Sequence, residues 1–333
     1  MGSEEGTASA DAGRLGGRPD PLSRIGLGLW TMRSMALAPR NRVADYRAFG
    51  DDAALAERLG FHSIWSAEHR IWYDGWCPAP LHALAYAAGR TTTLRLGTAV
   101  ALPTQHDPDA FADAALVLDR ISGERVELGV GLGHRDAEFD ALGLRRDRRG
   151  RRMDAALDAL AAGPSPPIWI GGMAAPALGR AATRGLNVLL PQTLSPDAIR
   201  RAIATLRGHD GWTGRVGTMR DVWIEADPES AASLRQRYRR FFLEEAGWWV
   251  LKGKPAFDVP DLLDAQMDRA AGAAVIGSPD QVASGLRELL EAGSEFLMLR
   301  INFDMVEHAE LQEQIHRLAE DLPSLLAGAV AAG

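Results

Sequence analysis

A single cysteine, Cys77, occurs in 333 residues, which excludes an internal disulfide framework and any zinc site built from several thiolates. The scarcity fits a reducing cytoplasm, where thiols stay unpaired. No apolar segment reaches the roughly 20 residues, uninterrupted by charge or Gly/Pro, that a bilayer-crossing helix needs. Residues 1–20, MGSEEGTASADAGRLGGRPD, are rich in Gly, Ala and charge without an apolar core. They are expected to form a disordered tail, neither a signal peptide nor a membrane span, ahead of one domain over 21–333. Positive charge is also short, since the net charge of −7 gives no electrostatic footprint for nucleic acid or an anionic membrane. The one basic run, Arg145–Arg152 (RRDRRGRR), reads as the solvated start of a helix.

Nucleotide-binding fingerprints are missing as well. Gly26-Leu27-Gly28 is followed by Leu29-Trp30-Thr31 and not by a third glycine opening a helix, and Gly129-Val130-Gly131-Leu132-Gly133 has the wrong spacing. There is no Gly-Lys-Ser/Thr phosphate loop. Glycines at strand ends can instead let a flat ring approach the backbone.

What the chain does have is 46% hydrophobic content and a regular alternation of short β-rich runs with longer helical patterns. That order predicts a parallel sheet with crossover helices. The expected strands are Ile25–Trp30, Ser63–Ser66, Leu94–Val100, Arg125–Val130, Pro167–Ile170, Leu186–Leu190, Val216–Ile224 and Phe296–Ile301, and eight of them suggest a closed barrel over a doubly wound sheet. Helices are expected over Val43–Leu59, Pro80–Ala88, Asp109–Leu118, Met153–Ala161, Ala175–Thr183, Pro196–Leu206, Glu229–Glu245, Pro279–Ala292 and Val306–Leu318. Ser195-Pro196, Asp227-Pro228 and Ser278-Pro279 are start signals. Gly247–Gly277 is a long excursion between the seventh and last of these strands, of the kind that often forms a lid or substrate loop.

The segment Gly60–Arg70, GFHSIWSAEHR, ends a helix, makes a strand and places Glu68-His69 at that strand's exit. In a parallel barrel the C-terminal ends of strands form the ligand-binding face, and an imidazole there can give or take a proton near neutrality. His69 is therefore the first catalytic candidate. Trp30, Trp72, Tyr73 and Trp76 follow the first two strands and Trp248-Trp249 open the excursion, so they are candidates for an aromatic wall around a substrate, with rim packing as the alternative. Trp65 and Trp169 lie within strands and read as core; His62, at a strand's N-terminal end, reads as structural. His106 lies near the third strand's exit.

GFHSIWSAEHR, LRLGTAVALPTQHDP, LDRISGERVELGVGLGHRDAEFDALG, PPIWIGGMAAPALGRAATRG and VIGSPDQV with Gly293 occur in the order seen in bacterial-luciferase-like monooxygenases. The chain resembles that family from about Ile25 to Leu322. The resemblance implies a luciferase-like (β/α)8 TIM barrel binding reduced FMN, or a deazaflavin coenzyme, at its C-terminal mouth. It implies His69 as the catalytic histidine, with Glu68 orienting it, and a cis peptide at Ala99-Val100 beside the isoalloxazine ring. The coenzyme phosphate would rest on Gly171-Gly172-Met173-Ala174 at a helix start, where amides and the helix dipole attract anions. Members often hold that phosphate with an arginine where this chain has Leu132, so Arg135 is the substitute candidate; Gly131 replaces a cysteine of luciferase itself. The insertion after strand four is short.

The resemblance further implies an FMNH2-dependent monooxygenase working through a flavin hydroperoxide on a small organic substrate, and the chain's high Ala, Arg and Gly content suits a secondary-metabolite pathway. Its reduced flavin would come from a separate reductase, and no metal is required. Alternatives are deazaflavin-dependent hydride transfer and a non-catalytic flavin binder. A homodimer through Pro80–Ala88 and Asp109–Leu118 is implied, in the cytoplasm.

Overall fold

Strands buried on both faces must lie parallel, with helices packed outside them. The computed structural model, which describes residues 21–34, 42–71, 75–251 and 260–327, realises this as a closed barrel. After a 3-10 turn at Pro21–Arg24, strands β1 (Ile25–Trp30), β2 (Ser63–Ser66), β3 (Arg95–Thr98), β4 (Val126–Val130), β5 (Ile168–Gly171), β6 (Asn187–Leu190) and β7 (Val216–Ile224) follow one another around the ring. The last barrel strand, β9 (Phe296–Arg300), closes it between β7 and β1. Helices α1 (Arg42–Arg58), α2 (Pro80–Ala88), α3 (Pro108–Ser122), α4 (Asp136–Ala141), α5 (Arg149–Ala161), α6 (Ala175–Arg184) and α7 (Pro196–Arg207) fill the connections up to β7. Helices α8 (Pro228–Leu251), α9 (Pro260–Ala273) and α10 (Pro279–Glu291) lie between β7 and β9, and α11 (His308–Leu326) ends the described chain. The starts at Ser195, Asp227 and Ser278 are where the sequence signals place them, and Ser278 with Gln281 forms a reciprocal cap.

Two differences from the sequence reading matter. A ninth strand, β8 (Val275–Gly277), pairs with Val222–Ile224 beyond the part of β7 that serves the barrel. It is three residues long and carries no periodicity of its own. The excursion is mostly helical, because α8 runs on to Leu251 and α9 occupies Pro260–Ala273. The expected tail over 1–20 lies outside the described residues. Among the described residues, no helix is long and apolar enough to cross a membrane.

The lower end of the barrel is filled by three rings, Trp65, Trp169 and Phe296, with centroids 5.7–6.4 Å apart. Trp65 donates to Ser63 Oγ at 2.8 Å and Trp169 to Glu127 Oε2 at 2.6 Å, so neither indole is buried with its N–H unmet. Space for them comes from Gly97, where a Cβ would lie 2.2 Å from Trp65. His62 packs on Phe296 at this end, and burial, with the charges of Arg95 and Arg215, lowers its pKa to about 4. A plugged lower end leaves the C-terminal mouth as the face open to a ligand.

One anchor on the outer wall yields a stability prediction. Glu57, in the last turn of α1, accepts the amides of Thr92 at 2.8 Å and Leu94 at 2.9 Å, and also binds Thr93, tying α1 to the turn before β3. Burial raises its pKa, but these hydrogen bonds outweigh it and bring the value down to about 2. A carboxylate with a depressed folded pKa stabilises above its unfolded value and loses that contribution as pH falls from about 4.5 through about 2. Because Glu57 is partly solvated, its contribution is on the order of 1–2 kcal/mol. Glu57→Gln should lower urea-unfolding stability at pH 7 by that amount and match the wild type at pH 2; equal deficits at both pH values would contradict the assignment.

Candidate active site

The mouth is built where strand exits turn polar. β2 ends at Ser66, and the extended residues after it carry two side chains apart from one another. Glu68 is buried, accepts the amide of Leu102 at 2.8 Å, and pairs with His106 Nε2 at 2.6 Å and with Arg70 Nε at 3.4 Å. His69 turns instead toward Glu138, with Nδ1 2.9 Å from Oε1. The expectation that Glu68 orients His69 is thus corrected: successive residues of an extended chain point to opposite sides, so the acid next in sequence faces away. The carboxylate that meets the imidazole comes from α4, past the exit of β4.

Glu138 is fully buried, and its oxygens also accept the Arg70 amide at 3.1 Å and Gln105 Nε2 at 3.0 Å, with Arg135 Nη1 at 3.6 Å. Burial pushes its pKa up, but the bond from His69, with Gln105 and Arg135, overrides this and holds it below the usual carboxylate range. His134 packs edge-on to His69 with centroids 5.2 Å apart; burial and the charge of His69 lower its pKa to about 3. Trp76 stands T-shaped against His69 at 4.6 Å, and the Arg33 guanidinium lies 4.7 Å over its ring.

The Ala99-Val100 peptide is cis, as is Gly28-Leu29. Val100 bears on the glycines of the next two strands. A Cβ on Gly131 would lie 2.5 Å from Val100 Cγ2, and one on Gly171 2.6 Å from Val100 Cγ1. The hollows that these glycines leave are therefore occupied by the Val100 methyls, which corrects the expectation that a flat ring reaches the backbone there. Beyond Gly171, Gly172 adopts φ +135°, and Met173 and Ala174 are exposed as the chain enters α6, whose N-cap Ala174 makes no side-chain cap. The Ala175 amide is the first-turn donor left for an anion, since Pro176 carries no N–H and Ala177 donates to the Ala174 carbonyl at 2.8 Å.

Arg135 does not serve that helix start. Its Nη1 contacts the carbonyls of Arg70 and Ile71 at 3.4 and 3.3 Å as well as Glu138, bracing the His69 turn. Leu132, where a phosphate arginine was expected, packs partly buried against the core. Trp30 is also corrected as a substrate-wall residue: it is buried toward α1, donating to Asp52 at 3.0 Å and stacking at 5.8 Å on Phe49. Trp72 and Tyr73 lie outside the described residues, and Trp248 falls near the C-terminal end of α8. Arg300 at the end of β9 pairs at 3.3 Å with Asp221 of β7, which also accepts Tyr238 Oη at 2.9 Å. Charged residues inside otherwise apolar strands were the signal for this pair. Among the described residues, no cluster of His, Cys, Asp or Glu is placed to hold a metal ion.

The histidine–carboxylate pair, the Val100 floor and the start of α6 thus lie at the C-terminal mouth of a parallel barrel, the face on which such barrels bind ligands. The family model for luciferase-like monooxygenases matches residues 27–163 and 160–295, and the chain belongs to that family. It is 30% identical over 194 residues to an uncharacterised protein of Sinorhizobium fredii, covering 48% of this chain and 55% of that one. It is 36% identical over 112 residues to 4-hydroxyprotoasukamycin monooxygenase of Streptomyces nodosus subsp. asukaensis, covering 33% and 30%. The chain thus spans about half or less of the length of these two curated relatives. Its fold is similar to the oxygenating constituent of 3,6-diketocamphane monooxygenase of Pseudomonas putida, a type II Baeyer-Villiger monooxygenase in complex with FMN, at TM-score 0.71 and 17% identity over 88% of this chain and 96% of that one. It is also similar to an F420-dependent secondary alcohol dehydrogenase in complex with an F420-acetone adduct, at TM-score 0.67 and 14% identity over 91% and 98%.

Proposed function

We propose that this protein is a monooxygenase that uses reduced FMN and O2 to oxygenate a small organic substrate, with the flavin reduced by a separate enzyme. The observation that carries this reading is the shared location of three features: the His69–Glu138 pair, the Val100 floor and the uncapped start of α6. They fit a flavin in kind. The amides of Met173, Ala174 and Ala175 would hold its phosphate, and Val100 with the backbone at Ala99 would support its ring system. When bound, reduced FMN supplies the electrons and the site of O2 activation.

The chain's own residues do the rest. His69 takes or gives the proton that accompanies oxygen transfer, on a ring held by Glu138 and walled by Trp76. Trp76 and the Val100 isopropyl group exclude water on their sides of the mouth. Glu68, clamped by Leu102, His106 and Arg70, fixes the turn after β3 that carries the far side of the opening. Leu132 leaves phosphate binding to amides without a guanidinium, so affinity for free FMN should be modest, in the micromolar range (Kd of about 1 μM is −8.2 kcal/mol).

Anaerobic titration of the protein with reduced FMN, and in parallel with coenzyme F420, tests this reading. Saturable binding of reduced FMN followed by O2 uptake supports it. Binding of F420 alone moves the protein to hydride transfer, and binding of neither identifies a barrel that has lost its cofactor.

We further propose a homodimer through α2 and α3. Tyr86, Val117 and Ile121 expose 43%, 59% and 63% of their surface, an apolar set on those two helices that a second copy would cover. The double substitution Val117→Asp with Ile121→Asp should convert the sedimenting species to monomer; a wild type that is already monomeric at 10-fold its working concentration would exclude the dimer.

A further inference from the structure

The carboxylate that meets His69 is one that the sequence pattern does not disclose. Glu138 is a buried acidic side chain on a helix of six residues, with four donors converging on it from three segments of chain. Oε1 takes the Arg70 amide and faces His69 Nδ1 and Arg135, while Oε2 takes Gln105. Backbone and guanidinium N–H groups can only donate. An environment made of donors keeps a carboxylate ionised, in agreement with the direction of its pKa. An ionised carboxylate can only accept, so the imidazole nitrogen facing it must carry the proton.

From this geometry we infer that Glu138 is the positioning residue of His69, fixing the neutral imidazole as the Nδ1–H tautomer and stabilising the imidazolium formed when Nε2 takes up a proton. The inference rests on the monooxygenase reading for what His69 then does, but the tautomer itself is a property of the protein without flavin. Glu68 is engaged elsewhere: its oxygens take His106, Arg70 and the Leu102 amide. Arg70, Gln105, His134, Arg135 and Trp76 are among the groups that face the His69–Glu138 pair. Trp76, standing at 74° to the imidazole, and His134, at 81°, flank the ring and restrict its rotation. Hydrogen-bond partners of this kind, which orient a reacting imidazole through its other nitrogen, change activity by about 10- to 100-fold when removed from metal-binding histidines. In hydrolytic triads the tautomer alone has a larger effect.

The test is 15N NMR of histidine-labelled, flavin-free protein, with the His69 resonances identified by their loss in His69→Gln. The expected wild-type spectrum shows neutral His69 with a protonated Nδ1 and an unprotonated Nε2. Glu138→Ala should release the ring to a mixture of tautomers, Glu138→Gln should keep the Nδ1–H form through its amide oxygen, and Glu68→Gln should leave His69 as in the wild type. A wild-type His69 protonated on Nε2 when neutral overturns the inference, and this holds even if Glu138→Ala does not fold. So does a His69 signal that responds to Glu68→Gln and not to Glu138→Ala. With reduced FMN and a substrate in hand, kcat should fall about 100-fold in Glu138→Ala and about 10-fold in Glu138→Gln, with KM for flavin unchanged. Full turnover in Glu138→Gln would remove the electrostatic half of the assignment. Correct tautomers together with no flavin binding by any form would instead fault the monooxygenase reading and leave the Glu138 role standing.

Discussion

Replacing His69 by alanine should abolish at least 99.9% of turnover, a loss of about 10³-fold, which lies within the 10²–10⁴ that positioned acid–base groups contribute. Three observations set the size of the effect. The imidazole is 12% exposed at the mouth, so it can reach a bound molecule while remaining shielded from bulk water. Its Nδ1 is engaged by a buried carboxylate, so its proton chemistry has one direction. The adjacent imidazole of His134 is a poor replacement, because burial is the largest cause of its lowered pKa and that burial does not depend on the charge of His69. The readout is substrate-dependent O2 uptake with saturating reduced FMN, alongside the dissociation constant of the flavin. The expected pattern is a collapse of kcat with a dissociation constant within a few-fold of wild type, because the floor at Val100 and the start of α6 are untouched. Turnover within 10-fold of wild type would place the proton chemistry elsewhere.

Gly129→Ala should be the most destabilising single substitution in the barrel wall, costing about 3 kcal/mol or more. A Cβ built on Gly129 falls 1.9 Å from the carbonyl oxygen of Thr98, a backbone atom that cannot turn aside. The strands β3 and β4 would have to separate, and with them the hydrogen bonds to Gly129 O from Ala101 N at 2.8 Å and Thr98 Oγ1 at 2.6 Å. Gly131 provides the contrast. Its added Cβ meets a side-chain methyl, Val100 Cγ2, so Gly131→Ala should be partly rescued by Val100→Ala, whereas Gly129→Ala should not. Chemical denaturation of the three single variants and the two doubles measures the coupling directly. Equal rescue of both glycine variants would show that the wall at Gly129 yields more readily than its geometry implies.

The barrel itself is legible in the sequence because its strands are apolar runs that alternate with helices, some of them marked by a capping side chain, as at Ser278 and Asp107. β8 is not, because three residues hold no period and its pairing with the far end of β7 is a tertiary choice. His69 is legible as a polar residue leaving a strand. Its partner is not, because Glu138 lies 69 positions along the chain on a helix too short to show amphipathic spacing. Adjacency in sequence points to Glu68, and the alternation of an extended chain sends that side chain the opposite way. The same limit governs Trp30 and Trp76. Both follow strand exits, but one turns outward to Asp52 while the other turns to His69, and only the packed structure separates them. Glycines 131 and 171 read equally well as room for a ligand or for a neighbour; the neighbour is Val100.

The central claim is that reduced FMN binds at the mouth between the His69 turn, the Val100 floor and the start of α6. Hydrogen–deuterium exchange of the intact protein, measured anaerobically with and without saturating reduced FMN, tests it most directly. The account predicts slowed exchange at amides 68–71, 99–102 and 172–175, with the lower end around Trp65 and Trp169 unchanged. Protection confined to any other surface, or flavin binding that leaves all three segments unprotected, would contradict it.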